Sequence, residues 1–328
     1  ATQRDKVRSD VQNTLLSRAF SPEPEWNDWV TELSDTERTV ATDSLAEYLR
    51  ELDGSEADSL KMLGKELDVP ERAKKALERG HTYERLQALT WLIRLETPEP
   101  YYAASYEPTT QAERAAVARL LFQTGQLERA ENGIELMLEG ATGEFSVFGQ
   151  DTLYRLAREA PDAMFAIGAD WYQSWSAPLL AQVLLICGQL GTGVRTADIS
   201  WLTASLEADE EGVRAAAARA LGSFGWRPEL RDSMFLARAT DDPSPRVRGA
   251  VYEMLGSWGD NEGATVLLYA LISEDDPRAL VRGTNALVQR QEHVGESGPA
   301  ILGAAWDWSA EHASYDSVAR GRTRSTGT

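Results

Sequence analysis

The chain has 328 residues, with 33 Lys and Arg against 52 Asp and Glu, a net charge of −19. That balance argues against a protein whose main task is gripping phosphate backbones, because such affinity comes from cations displacing counterions. A hydrophobic content of 42%, with 25 Gly and 13 Pro, excludes intrinsic disorder and a collagen-like or low-complexity chain. Cys187 is the one cysteine, which excludes a disulfide framework or a multi-cysteine zinc site.

Read from the N-terminus, helices are expected at about 4–19, 24–33, 36–52, 56–67, 70–79 and 82–95. Ser34-x-x-Glu37 forms a capping box for the third of these, satisfying free N–H groups at the helix start. Gly80-His81 precedes the sixth, where His81 reads as a cap. Pro98, Pro100 and Pro108 crowd a tyrosine-rich connector (Tyr101, Tyr102, Tyr106). The expected organisation is an irregular helical region at 1–98, a connector at 99–108 and a regular array at 109–294. A capping helix at 295–313 and a polar, disordered tail at 314–328 complete it.

In the array, helix pairs are expected at 109–124 with 127–139, joined at Gly125, and at 145–159 with 162–173, joined at Pro161. Ala177–Leu190 is the longest apolar stretch; Pro178, Gln182, Gly188 and Gln189 break it, so it reads as a buried helix rather than a membrane span. Beyond it a period of 34 emerges. Val213-Arg214, Val247-Arg248 and Val281-Arg282 share it, as do Leu221-Gly222 and Leu255-Gly256, Gly225 and Gly259, and Asp242-Pro243 and Asp276-Pro277. Trp201, Phe235 and Tyr269 keep the same interval.

Each unit predicts two helices. Val213, Ala217, Ala220, Leu221 and Phe224 form one buried stripe, repeated by Val247, Val251, Met254, Leu255 and Trp258. Gly225 or Gly259 ends that helix, and a second apolar helix follows at 230–240 or 264–273. Asp242-Pro243 then opens the next unit, the Asp accepting from free N–H groups and the Pro at the first helical position. No strand-like alternation of useful length occurs. The fold class is all-α, an α-solenoid of helix–turn–helix repeats.

The string at 242–256 closely resembles the short HEAT-like repeats of the phycobilisome-lyase type. Residues 208–225 match it, and Leu179, Val183, Ile186, Cys187, Gly188 and Gly191 fill the same places one period earlier, with Leu180 where the arginine would be. A tetratricopeptide repeat shares the period, but its W-x2-L-G-x2-Y pattern is absent. Upstream, Leu33-Ser34-Asp35, Tyr48-Leu49-Arg50, Leu67-Asp68-Val69 and the segment 85–89 resemble prokaryotic HEAT-repeat proteins that carry an N-terminal membrane helix. Members are often encoded beside membrane glycosyltransferases. The resemblance implies an anchor before Ala1, and Arg4, Lys6 and Arg8 suit its cytoplasmic flank, although Asp5 and Asp10 dilute them.

The chain contains five lysines (Lys6, Lys61, Lys65, Lys74, Lys75), so 33 − 5 = 28 of its cations are arginine. Few lysines with a large acid excess resemble the composition of halophilic archaeal proteins, in which molar salt screens the self-repulsion of charge. The acidity then concerns the solvent more than a basic ligand.

Candidate chemistry is sparse. Arg214, Arg248 and Arg282 could bind an anion, but the resemblance implies that they pair with acidic loop residues of adjacent units, for which Asp209, Asp242 and Asp276 are available. Glu210-Glu211, Asp241-Asp242 and Asp275-Asp276 read as helix caps, since no D-x-D-x-D-G loop exists. Cys187 reads as a buried small hydrophobe. HEAT-like deoxyhypusine hydroxylases bind iron through His-Glu dipeptides, and this chain has none; Glu292-His293 and Glu311-His312 run the other way. DNA-alkylation-repeat glycosylases need a cationic groove, which a net charge of −19 without a Lys/Arg-rich helix does not promise. Trp201, Phe235 and Tyr269 admit two readings, an inter-repeat core or an aromatic ladder toward a protein partner. Past Val294, the short apolar helix with Trp306 and Trp308 could cap the array or serve as a docking peptide.

The expectation is therefore a non-enzymatic protein–protein scaffold in a high-salt cytoplasm, with no cofactor, metal, small-molecule substrate or nucleic acid. The alternatives are an anchored accessory subunit at the cytoplasmic membrane face, whose partner is a membrane protein of glycoconjugate synthesis, and a HEAT-like enzyme acting on nucleic acid.

Overall fold

The computed structural model describes residues 3–194 and 196–313. All regular structure among them is α-helix or short 3-10 helix, without strands, and neighbouring helices pack as an α-solenoid builds them. No described helix is long and apolar enough to cross a membrane. Residues 314–328, expected to be disordered, lie outside the described residues.

The described residues fall into two compact units, Ala1–Glu139 with Ser146–Leu156, and Gly140–Phe145 with Ala157–Thr328. The division thus lies further along than the expected connector at 99–108. That connector sits inside the first unit and carries a short helix of its own. Prolines and tyrosines there mark a tight turn with packing partners rather than a linker: Tyr101 meets Tyr102 and Tyr106 edge-on at 5.3 and 6.3 Å.

The first unit begins with α1 (Gln3–Ala19), α2 (Trp26–Glu32), α3 (Asp35–Tyr48), α4 (Gly54–Glu66), α5 (Val69–Arg79) and α6 (Thr82–Leu95). It continues through α7 (Glu99–Ala103), α8 (Gln111–Gln123) and α9 (Ala130–Leu138) into α10 (Val147–Glu159), which runs across the division. Leu15, Trp26, Leu45, Leu60, Leu63 and Leu95 gather in one core cluster, and Leu77, Leu89, Leu92, Val117 and Leu120 in another. Each fully buried side chain of this size contributes about 1.5–3 kcal/mol. Helix starts are defined by side chains. The Ser34 capping box is present, the Glu37 carboxylate accepting from the Ser34 N–H at 2.9 Å. Thr110 and Glu113 repeat it on α8, and Glu84 accepts from the His81 N–H at 2.7 Å on α6.

The second unit holds α11 (Pro161–Trp171), α12 (Ala177–Leu190), α13 (Ser200–Ala204), α14 (Glu211–Leu221), α15 (Ser233–Thr240), α16 (Pro245–Trp258), α17 (Asn261–Ile272) and α18 (Pro277–Val288). Then come α19 (Gln291–Val294), α20 (Ser297–Leu302) and a helix at 304–313, here α21. The first helices of successive repeats, α12, α14, α16 and α18, stack directly on one another. Glycine permits the approach at Gly188 and Gly256. A Cβ on Gly188 would lie 2.8 Å from Ala220 Cα, and one on Gly256 would lie 2.6 Å from Ala286 Cβ.

Helix C-termini leave carbonyls without partners inside the helix, and here the following repeat supplies donors. Ser223 Oγ donates to the Gly188 carbonyl (2.6 Å), Trp258 Nε1 to Leu221 (3.1 Å) and Arg290 Nε to Gly256 (3.0 Å). Register is therefore fixed by polar bonds as well as by apolar stripes.

Several expectations shift in detail. Gly259 ends α16 in the left-handed region (φ 69°), but Gly225 does not need that conformation; it is glycine because Trp258 packs where its Cβ would be. The second helix expected at 230–240 is broken into a 3-10 turn, Pro228–Arg231, and α15. Asp276-Pro277 opens α18 as expected, the Asp276 carboxylate accepting from the N–H groups of Arg278 and Ala279. Asp242-Pro243 does not open α16. Pro245 takes the first helical position, and Asp242 is drawn into an ion pair described below. Val213 and Val247 are buried, whereas Val281 is only half-buried. The last repeat is covered by the short elements α19 and α20 rather than by another full pair. Trp306 of α21 is buried over Gly298, and Trp308 is exposed.

Candidate interaction surface

The repeat arginines behave differently from one another. Arg214 stands fourth in α14 and forms a forked pair with Asp242 of the next repeat, Nε to Oδ2 at 2.8 Å and Nη2 to Oδ1 at 3.1 Å. Its remaining nitrogen donates to the carbonyls of Ala208 and Asp209, so Asp209 takes part through its backbone. The Asp242 hydrogen bonds raise the Arg214 pKa. Arg248 makes the same fork, but with Glu274, at 2.8 and 2.7 Å. Asp276, the expected partner, is occupied as the α18 cap. The Glu274 side chain is fully buried; it also accepts from Tyr252 Oη at 2.7 Å and from the Asp276 N–H at 2.8 Å. The Arg248 hydrogen bonds hold its carboxyl at about 2.

Arg282 departs from the ladder. α18 starts two residues earlier than the repeat alignment requires, so Arg282 is sixth in its helix and cannot reach back to the preceding loop. One period on, positions 308–310 are Trp-Ser-Ala, with no acid to receive it. It lies half-exposed, 3.9 Å from Glu253.

The first unit contains the same device. Arg85, fourth in α6, pairs with Glu113 at 2.7 Å and donates to the Gly80 carbonyl at 3.1 Å. Burial pushes the fully buried Glu113 carboxyl up, but hydrogen bonds from Arg85 and the Thr109 and Thr110 N–H groups outweigh it and hold the group at about 2. Arg38 and Arg72, each fourth in its helix, likewise donate back, Arg38 to the Val30 and Leu33 carbonyls at the end of α2 and Arg72 to the Leu67 carbonyl. The sequence signal was a Glu-Arg dipeptide, at 37–38, 71–72, 84–85 and 113–114, with the glutamate third and the arginine fourth in the helix; Glu37, Glu84 and Glu113 close capping boxes, and Glu71 does not.

The aromatic series does not form one ladder. Trp201 is 2% exposed, packed against Phe165 and Tyr172 and above Gly168. It belongs to the core and cannot meet a partner. Phe235 is half-buried in a groove of about 340 Å³ that also holds Arg214, Asp209, Asp242, Arg238 and Val247. Tyr269 is 69% exposed on α17, with Ile272 one turn on at 56%, although Ala264, Leu267 and Leu271 of the same helix are buried. α13 is only five residues long and turns its aromatic inward, whereas the regular α17 presents a second, outward face.

Cys187 is fully buried, and burial pushes its thiol well above the usual range, so it is unreactive. Among the described residues no group of His, Cys, Asp and Glu is arranged to hold a metal ion.

One basic element escaped the sequence reading. α5 carries Arg72, Lys74, Lys75 and Arg79 against Glu71 and Glu78. Arg72, Lys75 and Arg79 line a groove of about 470 Å³ between α5 and α6, floored by Val69, Ala73, Ala76 and Ala88 and closed by Trp91. The visible signal was that four of the five lysines lie within residues 61–75.

Residues 199–288, from α13 to the end of α18, match the family of HEAT repeats. No curated protein matches the chain. The chain thus carries HEAT-like repeats, a type of repeat that commonly serves as a protein-interaction scaffold.

Proposed function

We propose that the protein is a non-enzymatic scaffold that holds a partner protein against the outward helices of its HEAT-like repeats. The observation that supports this reading best is the double face of α17. One side is sealed into the repeat core, and the other leaves Tyr269 and Ile272 in solvent. An exposed aromatic beside an exposed aliphatic is the anchor pattern of protein interfaces, where a few large side chains carry most of the affinity. The acid excess and scarcity of lysine support a setting of high salt, in a cytoplasm of halophilic archaeal type. There, contacts resting on apolar groups persist while long-range charge attraction is screened.

The test is affinity purification in molar KCl from cells expressing either the unaltered chain or Tyr269→Glu with Ile272→Glu. The scaffold reading expects one protein to be retained by the unaltered chain and lost with the variant, at unchanged helical content. Equal retention by both would remove α17 as the contact face.

A further inference from the structure

Most described arginines of the second unit lie beside acids. Arg214, Arg219, Arg227, Arg231, Arg238, Arg246 and Arg248 each lie within ion-pair distance of a carboxylate. In the first unit, three exposed cations, Arg72, Lys75 and Arg79, stand together in the α5–α6 groove. Among the described residues, no carboxylate lies within ion-pair distance of Arg72, Lys75 or Arg79. Arg72 spends one nitrogen on the Leu67 carbonyl at 3.3 Å, and Lys75 and Arg79 reach solvent.

Their spacing, i, i+3 and i+7, puts them on one face of α5 over about 10 Å of helix. The opposite wall offers Glu84, whose carboxylate is engaged by the His81 N–H, with Gln87 and Trp91. The floor is apolar because Ala73, Ala76 and Ala88 are small, and the depth of the groove comes from the same residues. Arg94 lies 5.8 Å from the Trp91 ring, and burial together with the charge of neighbouring Arg50 lowers its pKa. Positive potential therefore extends around the tryptophan.

The surroundings of the groove are not uniformly positive. On the side of α5 that faces α3, Arg72 and Lys75 also line a second groove, together with Arg38 and the carboxylates of Asp35, Asp43, Asp68 and Glu71. A long polyanion extending past Arg72 and Lys75 would meet those carboxylates. The fitting ligand is short, carries two or three carboxylates on one edge and presents an apolar side chain to the alanine floor and Trp91. We propose that the α5–α6 groove of the first unit binds an acidic, amphipathic peptide segment of a partner protein. Carboxylates of that segment pair with Arg72, Lys75 and Arg79, and its apolar side rests against Trp91. In molar salt, charges act only at near-contact range, about 3 Å, so both halves of the site are required. The site is independent of α17, and Tyr269→Glu leaves it intact.

The experiment uses the full chain and fluorescence anisotropy with a short labelled peptide of repeated Glu-Leu-Leu-Glu units. Companion probes are its Lys-for-Glu counterpart, an oligothymidylate and phosphatidylglycerol vesicles. The acidic peptide is expected to bind saturably, and Arg72→Gln, Lys75→Gln and Arg79→Gln together to weaken it about tenfold or more, equivalent to about 1.4 kcal/mol. These side chains are exposed, and circular dichroism checks that the variant stays folded. Arg79→Lys alone retains most of the binding. Undiminished binding by the triple variant overturns the proposal, as does equal binding of the lysine peptide. Tighter capture of the oligonucleotide or the vesicles would reassign the groove to a phosphate ligand.

Discussion

Replacing Glu274 with glutamine is the most informative single perturbation of the repeat register. The carboxylate is fully buried and receives four hydrogen bonds, two from Arg248, one from Tyr252 and one from the Asp276 backbone. Its carboxyl is held at about 2 instead of the ordinary 4.5. Held over that interval, the preference is worth roughly 3 kcal/mol at neutral pH. Arg248 remains 19% exposed, so solvent screening reduces the figure to about 2 kcal/mol. The sign follows from the lowered folded-state pKa. This stability is fully present above the unfolded value of 4.5 and disappears as pH falls toward about 2. Glu274→Gln keeps the shape but leaves Arg248 without a countercharge. Urea unfolding followed by tryptophan fluorescence, from neutral pH down to pH 2, is the assay. The variant should lose about 2 kcal/mol at neutral pH, and its stability should decline less steeply below pH 4.5. A variant as stable as the parent at neutral pH, or an unchanged acid limb, would refute the reasoning.

Glu113→Gln in the first unit should show the same acid signature, because Arg85 and two backbone N–H groups hold that carboxyl equally low; the same titration checks it. Gly188→Ala should cost about 1–3 kcal/mol, since a new methyl meets Ala220 backbone at 2.8 Å. Gly212→Ala, with nothing nearby and an early position in α14, should be neutral or gain about 0.5–1 kcal/mol by thermal melting. Trp201→Ala should cost about 3–5 kcal/mol as an emptied core site, whereas Tyr269→Ala should stay within about 0.5 kcal/mol; chemical denaturation separates them. Cys187 should resist a thiol reagent in the folded protein and react once urea unfolds it.

The period of 34 made the stacked first helices readable, because Val213, Val247, Leu221 and Leu255 are large, regularly spaced and on one face. The capping box at Ser34 was equally plain, being a local motif whose chemistry is complete within four residues. What the sequence concealed depends on non-local geometry. Asp242 and Asp276 occupy equivalent positions, yet one receives an arginine and the other caps a helix, because α18 starts two residues early. Trp201 and Tyr269 are likewise equivalent in period, yet Trp201 packs over Gly168 in the core while Tyr269 projects from the outer side of α17. Prolines alone do not mark a break between units, because compactness follows packing, and Pro98 and Pro100 are buried within the first unit. The cations of α5 were submerged in a net charge of −19, an average that says nothing about where individual charges lie.

The central claim, that outward side chains of the repeats engage a partner while the periodic core only supports them, is tested most directly by site-specific photocrosslinking in living cells. A photoreactive amino acid at position 269 should yield one discrete crosslinked protein, and the same group at position 201 should yield none. Crosslinks of equal strength from both positions, or none from position 269, would contradict it.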